Sequence, residues 1–270
     1  MPFHSPSGGM ASSDRQKSTQ LLLYDTLSAP RQSVSITADL LEEHFLRNSG
    51  VGGELVLFQH EGAPIGQAMT GGDGRAVRSF TPTAIGVTAL SARLAASRRV
   101  TAGEATAKLF VWERSRPLSL ISLHALISHG GGFGSIFPFS ESNAGLPDPE
   151  PDAVKMLTTV ARRNGLIYLI AGDPMKLSDF RQWAARHHLP AGPIVLLQGA
   201  QGFAHELDRL QRDGWKGIKA GVPSTAPEAK ILVDRGRLAV APPTGSREKW
   251  PAKTVQAKDW ADVAKRLLSA

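Results

Sequence analysis

Two residues that could form a catalytic pair, Ser122 and His124, stand near the end of the apolar run "LSLISLHALI". On an extended strand, residues two positions apart share a face, so their side chains can meet. A histidine ionises near neutral pH and can accept the proton of a serine hydroxyl, which would make Ser122 a nucleophile for hydrolysis. The neighbouring sequence supplies no carboxylate to orient the imidazole. A polar strand end whose side chains bond to the backbone explains the same two residues.

Glycines and lysines that could bind a phosphate group follow in the chain. The segment "SHGGGFGSIF", residues 128–137, is rich in glycine, which lets backbone N–H groups approach an anion. It lacks the spacing of the known phosphate-binding motifs, and a flexible loop without a ligand fits it as well. Lys216 and Lys219 flank Gly217, and either lysine can bind a phosphate as a point charge. The alternative is a pair of ordinary surface lysines.

The residue types that bind metals give no expected metal site. The chain has no cysteine, which excludes thiolate ligands and disulfides. His187 and His188 are adjacent at a predicted helix end, where they complement the helix dipole and point away from each other. Asp73 lies in an Asp-Gly pair, where aspartate stabilises a turn.

Charge is unevenly distributed along the 270 residues, whose net charge is +7. Residues 1–152 contain 12 Lys+Arg and 14 Asp+Glu, whereas residues 153–270 contain 19 and 10. The second half can therefore attract phosphates, nucleic acid or an anionic membrane surface. A solvated basic face is the other interpretation. The chain has no motif with the spacing of a nucleic-acid-binding module, so no nucleic-acid partner is expected.

The apolar segments are too short for a membrane helix, which needs about 18 to 20 consecutive apolar residues. The N-terminal sequence also lacks the apolar core of a secretory signal. We therefore expect a soluble, cytoplasmic protein with a disordered tail over residues 1–20. The length of the chain favours two domains.

From residue 21 to residue 113 the apolar residues recur with a period of two, which indicates β-strands. In "SVSITADL", for example, Ile36, Ala38 and Leu40 fall on one face. The strands are short and are separated by turn sequences such as "TGGDGR", in which glycine supplies positive φ. Six or seven such strands predict a β-sandwich over residues 21–113.

After Arg116, apolar runs alternate with amphipathic segments. The runs "LIYLI", "PIVLL", "KGIKAG" and "LAVA" predict strands, and the segments between them predict helices, one capped by Ser178 and one by Ser224 or Thr225. This alternation predicts a doubly wound parallel sheet over residues 114–270, with ligands beyond the carboxyl ends of its strands. Three tryptophans are expected to anchor the core or an interface: Trp183, Trp215 and Trp260.

Both predicted domains resemble known families. The stretch "VGGELVLFQHEGAPIGQAMTGGDGRAVRSFTP" resembles bacterial immunoglobulin-like (Ig-like) modules, and this implies a spacer or interaction domain. Its hairpin pattern "G..T...DG.A" is formed by Gly66, Thr70, Asp73, Gly74 and Ala76.

Residues 114–270 resemble the haloacid dehalogenase (HAD) superfamily, in the branch of lipin-type and Nir-type phosphatidate phosphatase domains. "RPLSLISLHALI" is similar to the first strand of that branch, and "LIYLIAGDP" to its second. "DFRQWAARHHLPAGPIVLL" is similar to its helix, "LPxGP" turn and third strand. The resemblance implies a HAD-like (Rossmann-like) α/β domain that follows a β-sandwich.

The family's first motif is replaced in this sequence. Ser122 stands at the position of the aspartate nucleophile, His124 at that of the second aspartate, and Leu126 at that of the threonine. The hydroxyl residue that ends the family's second strand corresponds to Ile170 or Ala171.

The later motifs are replaced as well. Lys216 or Lys219 would be the family's lysine, and the late acidic loop corresponds to "GVPSTAPE". There Ser224 and Thr225 stand instead of aspartates, and Glu228 lies inside the helix start. Mg²⁺ prefers carboxylate oxygens, so this exchange removes most of its ligands and no cofactor is expected.

These observations predict a non-catalytic, HAD-like binding or scaffold protein with a degenerate phosphatase site. The site would retain binding of an anion, such as a phosphate-bearing small molecule or an anionic phospholipid headgroup, and the β-sandwich would bind a protein partner. A Mg²⁺-dependent phosphatase acting on phosphatidate or another phosphomonoester is one alternative, and a purely structural partner-binding protein is another. The candidate ligand-binding residues are Ser122, His124, Gly172, Lys216, Lys219, Ser224 and Thr225.

Overall fold

The computed structural model of the protein describes residues 19–42, 48–127, 146–150, 152–199, 201–243 and 249–270. The glycine-rich segment 128–137 and residues 1–18 of the predicted tail lie outside the described residues. The first strand begins at Thr19, two residues before the predicted start of the sandwich.

The described residues between 19 and 111 form a β-sandwich of two sheets with nine strands. One sheet has the order β1-β3-β4, with β7 also paired to β3, and the other has the order β2-β9-β8-β5-β6. Ile36, Ala38 and Leu40 are all buried between the sheets, as their spacing predicts. The nine strands are β1 (Thr19–Leu23), β2 (Thr26–Ser28), β3 (Val34–Glu42), β4 (Ser49–Gly50), β5 (Leu55–His60), β6 (Ala63–Met69), β7 (Arg75–Phe80), β8 (Gly86–Leu94) and β9 (Ala105–Val111).

The sandwich has more strands than the six or seven predicted from the sequence. The additional strands include β2 and β4, which have three and two residues and are too short to show a periodicity. Asp73 has the turn role that the sequence predicts, because its carboxylate accepts a hydrogen bond from the N–H of Arg75 at 3.0 Å.

Residues 118–269 form a doubly wound α/β domain. Its six strands are parallel and have the order β12-β11-β10-β13-β14-β15. The elements are β10 (Leu118–Ser122), α1 (Ala153–Ala161), β11 (Gly165–Ala171), α2 (Leu177–Arg186), β12 (Ile194–Leu197), α3 (Gly202–Arg212), β13 (Ile218–Val222), α4 (Ala226–Asp234), β14 (Leu238–Ala241), β15 (Val255–Gln256) and α5 (Trp260–Ser269).

One of the two predicted helix-capping residues is confirmed, and the other is wrong. Thr225 caps α4, as predicted, by accepting a hydrogen bond from the N–H of Glu228. Ser178 does not cap α2, because that helix already begins at Leu177. A short 3₁₀ turn precedes α2 and takes its cap from Asp173 instead.

The two domains share an apolar core. Leu27 and Phe110 of the sandwich, together with Trp112 just after β9, pack in one cluster with buried side chains of the parallel sheet and α3. The three predicted anchors are all buried: Trp183, Trp215 and Trp260.

A buried carboxylate also joins the two domains. Asp25, which follows β1, accepts hydrogen bonds from Arg181 of α2 at 2.9 Å and from the N–H of Ile194 in β12 at 3.0 Å. Its side chain is 4% exposed. The sandwich is therefore held to the edge of the parallel sheet by direct polar contacts as well as by apolar packing.

In the part of the chain that the structure describes, no helix has the length and apolar character needed to cross a membrane.

Candidate functional site

The carboxyl ends of β10, β11 and β13 meet at one edge of the parallel sheet. Ser122, the last residue of β10, pairs with Leu169 of β11, and Ile121 pairs with Val222 at the end of β13. The strand order changes direction between β10 and β13, and such a switch point is where open α/β sheets bind ligands. Four predicted site residues lie at this edge: Ser122, Gly172, Ser224 and Thr225.

Two serines and a glutamate form a continuous hydrogen-bonded chain at this edge. The Ser122 hydroxyl donates to the Ser224 hydroxyl at 2.9 Å. The Ser224 hydroxyl donates to the Glu228 carboxylate at 3.0 Å, and the Ser224 backbone N–H donates to the same oxygen at 2.7 Å. We call Ser122, Ser224 and Glu228 the hydroxyl–carboxylate chain. It ties the end of β10 to the turn between β13 and α4.

The sequence did not identify Glu228 as a member of this chain, bonded to Ser224, although a local signal was present. Thr225 and Glu228 have the T-x-x-E spacing of a capping box, in which the glutamate side chain turns back toward the helix start. Here the carboxylate reaches Ser224, the residue before the cap, and so arrives beside β10.

Burial raises the pKa of Glu228 above its ordinary value of 4.5, because the charged form loses hydration there. Hydrogen bonds from the backbone N–H and the hydroxyl of Ser224 act in the opposite direction, since they favour the carboxylate. The direction of the shift shows that these bonds compensate only part of the cost of burying the charge.

We expect Glu228→Gln to become more stable relative to the wild type as the pH rises from about 4 to about 7. With a raised pKa the folded state binds more protons than the unfolded state above pH 4.5. The free energy of unfolding of the wild type therefore falls as pH rises through that window, and the glutamine variant lacks this contribution. Urea unfolding of both proteins across the pH range measures the difference.

Glu104→Gln, which alters an exposed carboxylate, is the control for this measurement. A difference between wild type and Glu228→Gln that stays constant with pH would contradict the raised pKa.

The sequence predicts that His124 and Ser122 share a strand face. In the structure they do not. The strand ends at Ser122, and residues Leu123–Leu126 form a 3₁₀ turn that contains the histidine. The premise of the Ser122–His124 pair is therefore wrong, because residues two apart point in different directions in such a turn. Ser122 instead hydrogen-bonds to Ser224, across the β10–β13 boundary.

The structure places Lys216 and Lys219 at the opposite end of the sheet. β13 begins at Ile218, so both lysines lie near its amino end, whereas Ser224 follows its carboxyl end. The ladder pairs Leu118 with Ile218 and Ser119 with Ala220. Lys219 is therefore the extra residue of a β-bulge and is exposed. The two lysines are separated from the other predicted site residues by the length of the strand.

The remaining predicted positions have no side chain that could act as an acid, a base or a nucleophile. Gly172 follows β11 and is exposed, and Ile170 and Ala171 supply no hydroxyl at the end of that strand. Leu126 is fully buried in the apolar core.

Among the described residues, the donors of the hydroxyl–carboxylate chain do not fit Mg²⁺. The ion needs hard oxygen ligands in octahedral geometry, with at least one or two carboxylates. The only carboxylate of the hydroxyl–carboxylate chain is Glu228, whose Oε2 already accepts two hydrogen bonds from Ser224. Within the described ranges, no three His, Asp or Glu side chains are grouped as a metal site would require.

Of the comparisons with known proteins, only the one with solved structures finds similar proteins. No family model and no curated protein matches the sequence. The D,D-heptose 1,7-bisphosphate phosphatase of B. bronchiseptica, solved with magnesium and phosphate, is 13% identical, with 57% of this chain and 98% of that chain covered and a TM-score of 0.44.

Two modules are similar to about a third of the chain. Fibronectin(III)-like modules of Clostridium thermocellum CbhA are 14% identical, covering 34% of this chain and 94% of that chain with a TM-score of 0.25. A CARDB domain from Pyrococcus furiosus, in complex with di-metal ions, is 16% identical, covering 36% of this chain and 90% of that chain with a TM-score of 0.28.

Proposed function

We propose that this protein is a non-catalytic binding and scaffold protein, in which a HAD-like α/β domain with a degenerate phosphatase site carries an Ig-like β-sandwich. The observation that carries the proposal is the hydroxyl–carboxylate chain. The side chains that meet at the carboxyl edge are bonded to one another, and they join β10 to the β13–α4 turn.

Phosphoryl transfer of the HAD type needs a carboxylate nucleophile and a metal ion that neutralises the incoming phosphate. A serine stands at the nucleophile position, and the donor set does not fit the metal. A serine hydroxyl is a weak nucleophile unless a base activates it. The Ser122 side chain is 2% exposed, so a substrate would also have to displace its neighbours to reach the hydroxyl.

Anion binding at this edge is opposed by Glu228. The carboxylate lies at the start of α4 and occupies the backbone N–H of Ser224, which is the kind of donor that an anion uses at a helix start. A phosphate dianion would meet a like charge there, so retained anion binding remains a prediction from the sequence.

A protein partner would bind the sandwich. Among the described residues, the large apolar side chains that are most exposed all belong to this domain, which favours it as the binding element. These side chains are Met69, Val77, Ile85 and Val87.

An assay of phosphate release tests the proposal. With Mg²⁺ present, wild-type protein and Ser122→Ala are each incubated with phosphatidate in mixed micelles and with a soluble aryl phosphate. We expect the wild type to release no more phosphate than Ser122→Ala. Hydrolysis by the wild type that is lost in Ser122→Ala would establish the phosphatase alternative instead.

Thermal unfolding in inorganic phosphate separates a scaffold from an anion-binding protein. A bound anion stabilises the fold by about 2.7 kcal/mol at a hundredfold excess over its Kd. We expect an unchanged midpoint for the wild type. A rise that disappears in Ser224→Ala would restore the anion-binding function.

A further inference from the structure

The amino edge of the parallel sheet, opposite the hydroxyl–carboxylate chain, carries eight basic residues of the α/β domain and the segment that leads into it. Helices of a doubly wound fold run back from the carboxyl edge to the amino edge, so their C-terminal ends and the following turns meet there. Cations are favourable at helix C-termini. Six of the 19 Lys and Arg residues of 153–270 lie at this edge, together with Arg114 and Arg116.

Four adjacent strands are each preceded, or begun, by two basic residues. The strands are β11, β10, β13 and β14, neighbours in the sheet that span about 14 Å at the usual strand spacing. Backbone hydrogen bonds join their starts, from Gly165 to Pro117 at 2.7 Å and from Leu118 to Gly217 at 3.0 Å. We call the surface formed by these residues the basic edge: Arg162, Arg163, Arg114, Arg116, Lys216, Lys219, Arg235 and Arg237.

Four of these side chains are exposed cations: Arg162, Arg163, Lys216 and Lys219. No carboxylate of a described residue forms an ion pair with any of the four. The acids nearby are already engaged, Asp213 with Arg209 at 2.8 Å and Asp208 with Arg235 at 2.7 Å. Asp234 pairs with Lys230 at 2.7 Å, and Glu113 is a further exposed acid beside this surface. The basic edge thus keeps a net positive charge.

The two tryptophans that contact arginines of this edge are not available for stacking on nucleic-acid bases. The guanidinium of Arg116 lies 4.8 Å from the ring centroid of Trp112, and that of Arg114 lies 5.7 Å from that of Trp215. Both tryptophans are buried. Proteins that bind single strands use exposed aromatic platforms, which these two buried rings do not provide.

We propose that the basic edge binds an anionic lipid bilayer by electrostatic attraction, a role that goes beyond the proposed scaffold function. A bilayer presents a continuous negative surface, which a row of cations can meet without a shaped pocket. Groups of four to eight Lys or Arg are typical of such binding. When the basic edge faces the bilayer, the hydroxyl–carboxylate chain at the opposite edge faces away from the lipid. This contact is therefore different from the binding of a single headgroup at the carboxyl edge.

Co-sedimentation with vesicles tests this inference. The vesicles contain about 30 mol% phosphatidylserine in phosphatidylcholine, with pure phosphatidylcholine as the neutral comparison. We expect binding to the anionic vesicles alone, and release as NaCl rises from about 0.1 to about 0.5 M. Lys216→Glu/Lys219→Glu should lower the partition coefficient at least about 30-fold, since each basic residue near an anionic surface contributes about fivefold.

The matched control is Arg93→Glu/Arg98→Glu, which makes the same change in net charge on exposed residues of the sandwich. It should bind as the wild type does. If Lys216→Glu/Lys219→Glu fails to fold by circular dichroism, Arg162→Glu/Arg163→Glu replaces it. Equal losses in edge and control variants, or absence of vesicle binding, would overturn the proposal. Binding of a duplex DNA of about 20 base pairs in place of vesicles would overturn it in favour of nucleic acid.

Discussion

Asp25→Ala is expected to lower the free energy of unfolding by about 3–5 kcal/mol, the usual cost of removing one partner of a buried ion pair. The carboxylate is 4% exposed and accepts hydrogen bonds from Arg181, Lys108 N–H and Ile194 N–H at 2.9 to 3.0 Å. Alanine removes this acceptor from the N–H of Lys108 in the sandwich and, across the domain boundary, from Arg181 and the N–H of Ile194. Guanidinium chloride unfolding, followed by tryptophan fluorescence, measures the loss.

Two further variants identify the source of that loss. Adding Arg181→Met to Asp25→Ala should recover part of the stability, because the uncompensated guanidinium is then absent. Asp179→Ala, on the same helix, removes an exposed carboxylate 4.0 Å from Lys176 and should change the free energy of unfolding by less than about 1 kcal/mol. A loss for Asp25→Ala no larger than that of Asp179→Ala would show that the buried pair does not hold the domains together.

Gly192→Ala is expected to cost about 3 kcal/mol, the upper part of the range for overpacking a core. A Cβ at this position would lie 2.1 Å from the carbonyl oxygen of Leu166 and 3.0 Å from the ring of Tyr168. The turn is fixed there, because Tyr168 donates its hydroxyl proton to the carbonyl of Pro190 at 2.9 Å. The methyl group can be accommodated only if the turn moves away from β11. Urea unfolding of the variant measures this cost.

Gly172→Ala is the matched control for that substitution. Its Cβ would meet only the ring of Phe180, at an ordinary 3.9 Å, and the backbone there does not require glycine. We expect it to leave stability unchanged or to raise it by about 0.5 kcal/mol through the unfolded chain. Similar costs at both glycines would mean that close backbone approach is not the reason for glycine in the "LPxGP" turn.

The fold was predictable where local periodicity decides it. The apolar runs of the parallel sheet alternate with amphipathic helices, so "LIYLI" and "PIVLL" could be assigned directly to β11 and β12. Strands of two or three residues have no period, which is why β4 escaped prediction.

The site was predictable only in part, because its contacts join distant segments. The spacing indicated that Ser122 and Ser224 follow two strands, and parallel pairing brings them to 2.9 Å. The 3₁₀ turn that removes His124 from the face of Ser122 depends on tertiary packing of Leu123 and Leu126. The bulge that exposes Lys219 depends on the register with β10, which no single segment encodes.

The shared core of the two domains has a consequence for synthesis, since the sandwich leaves the ribosome first. A nascent chain that ends at residue 113 already contains Leu27, Phe110 and Trp112, whose apolar surface has no cover until the α/β domain follows. Asp25 likewise meets Ile194 only after 169 further residues have been made. Exposed apolar surface on a partly made chain promotes aggregation. The sandwich is thus expected to be the aggregation-prone intermediate during synthesis, and a fragment of residues 19–113 to self-associate unless the second domain is supplied.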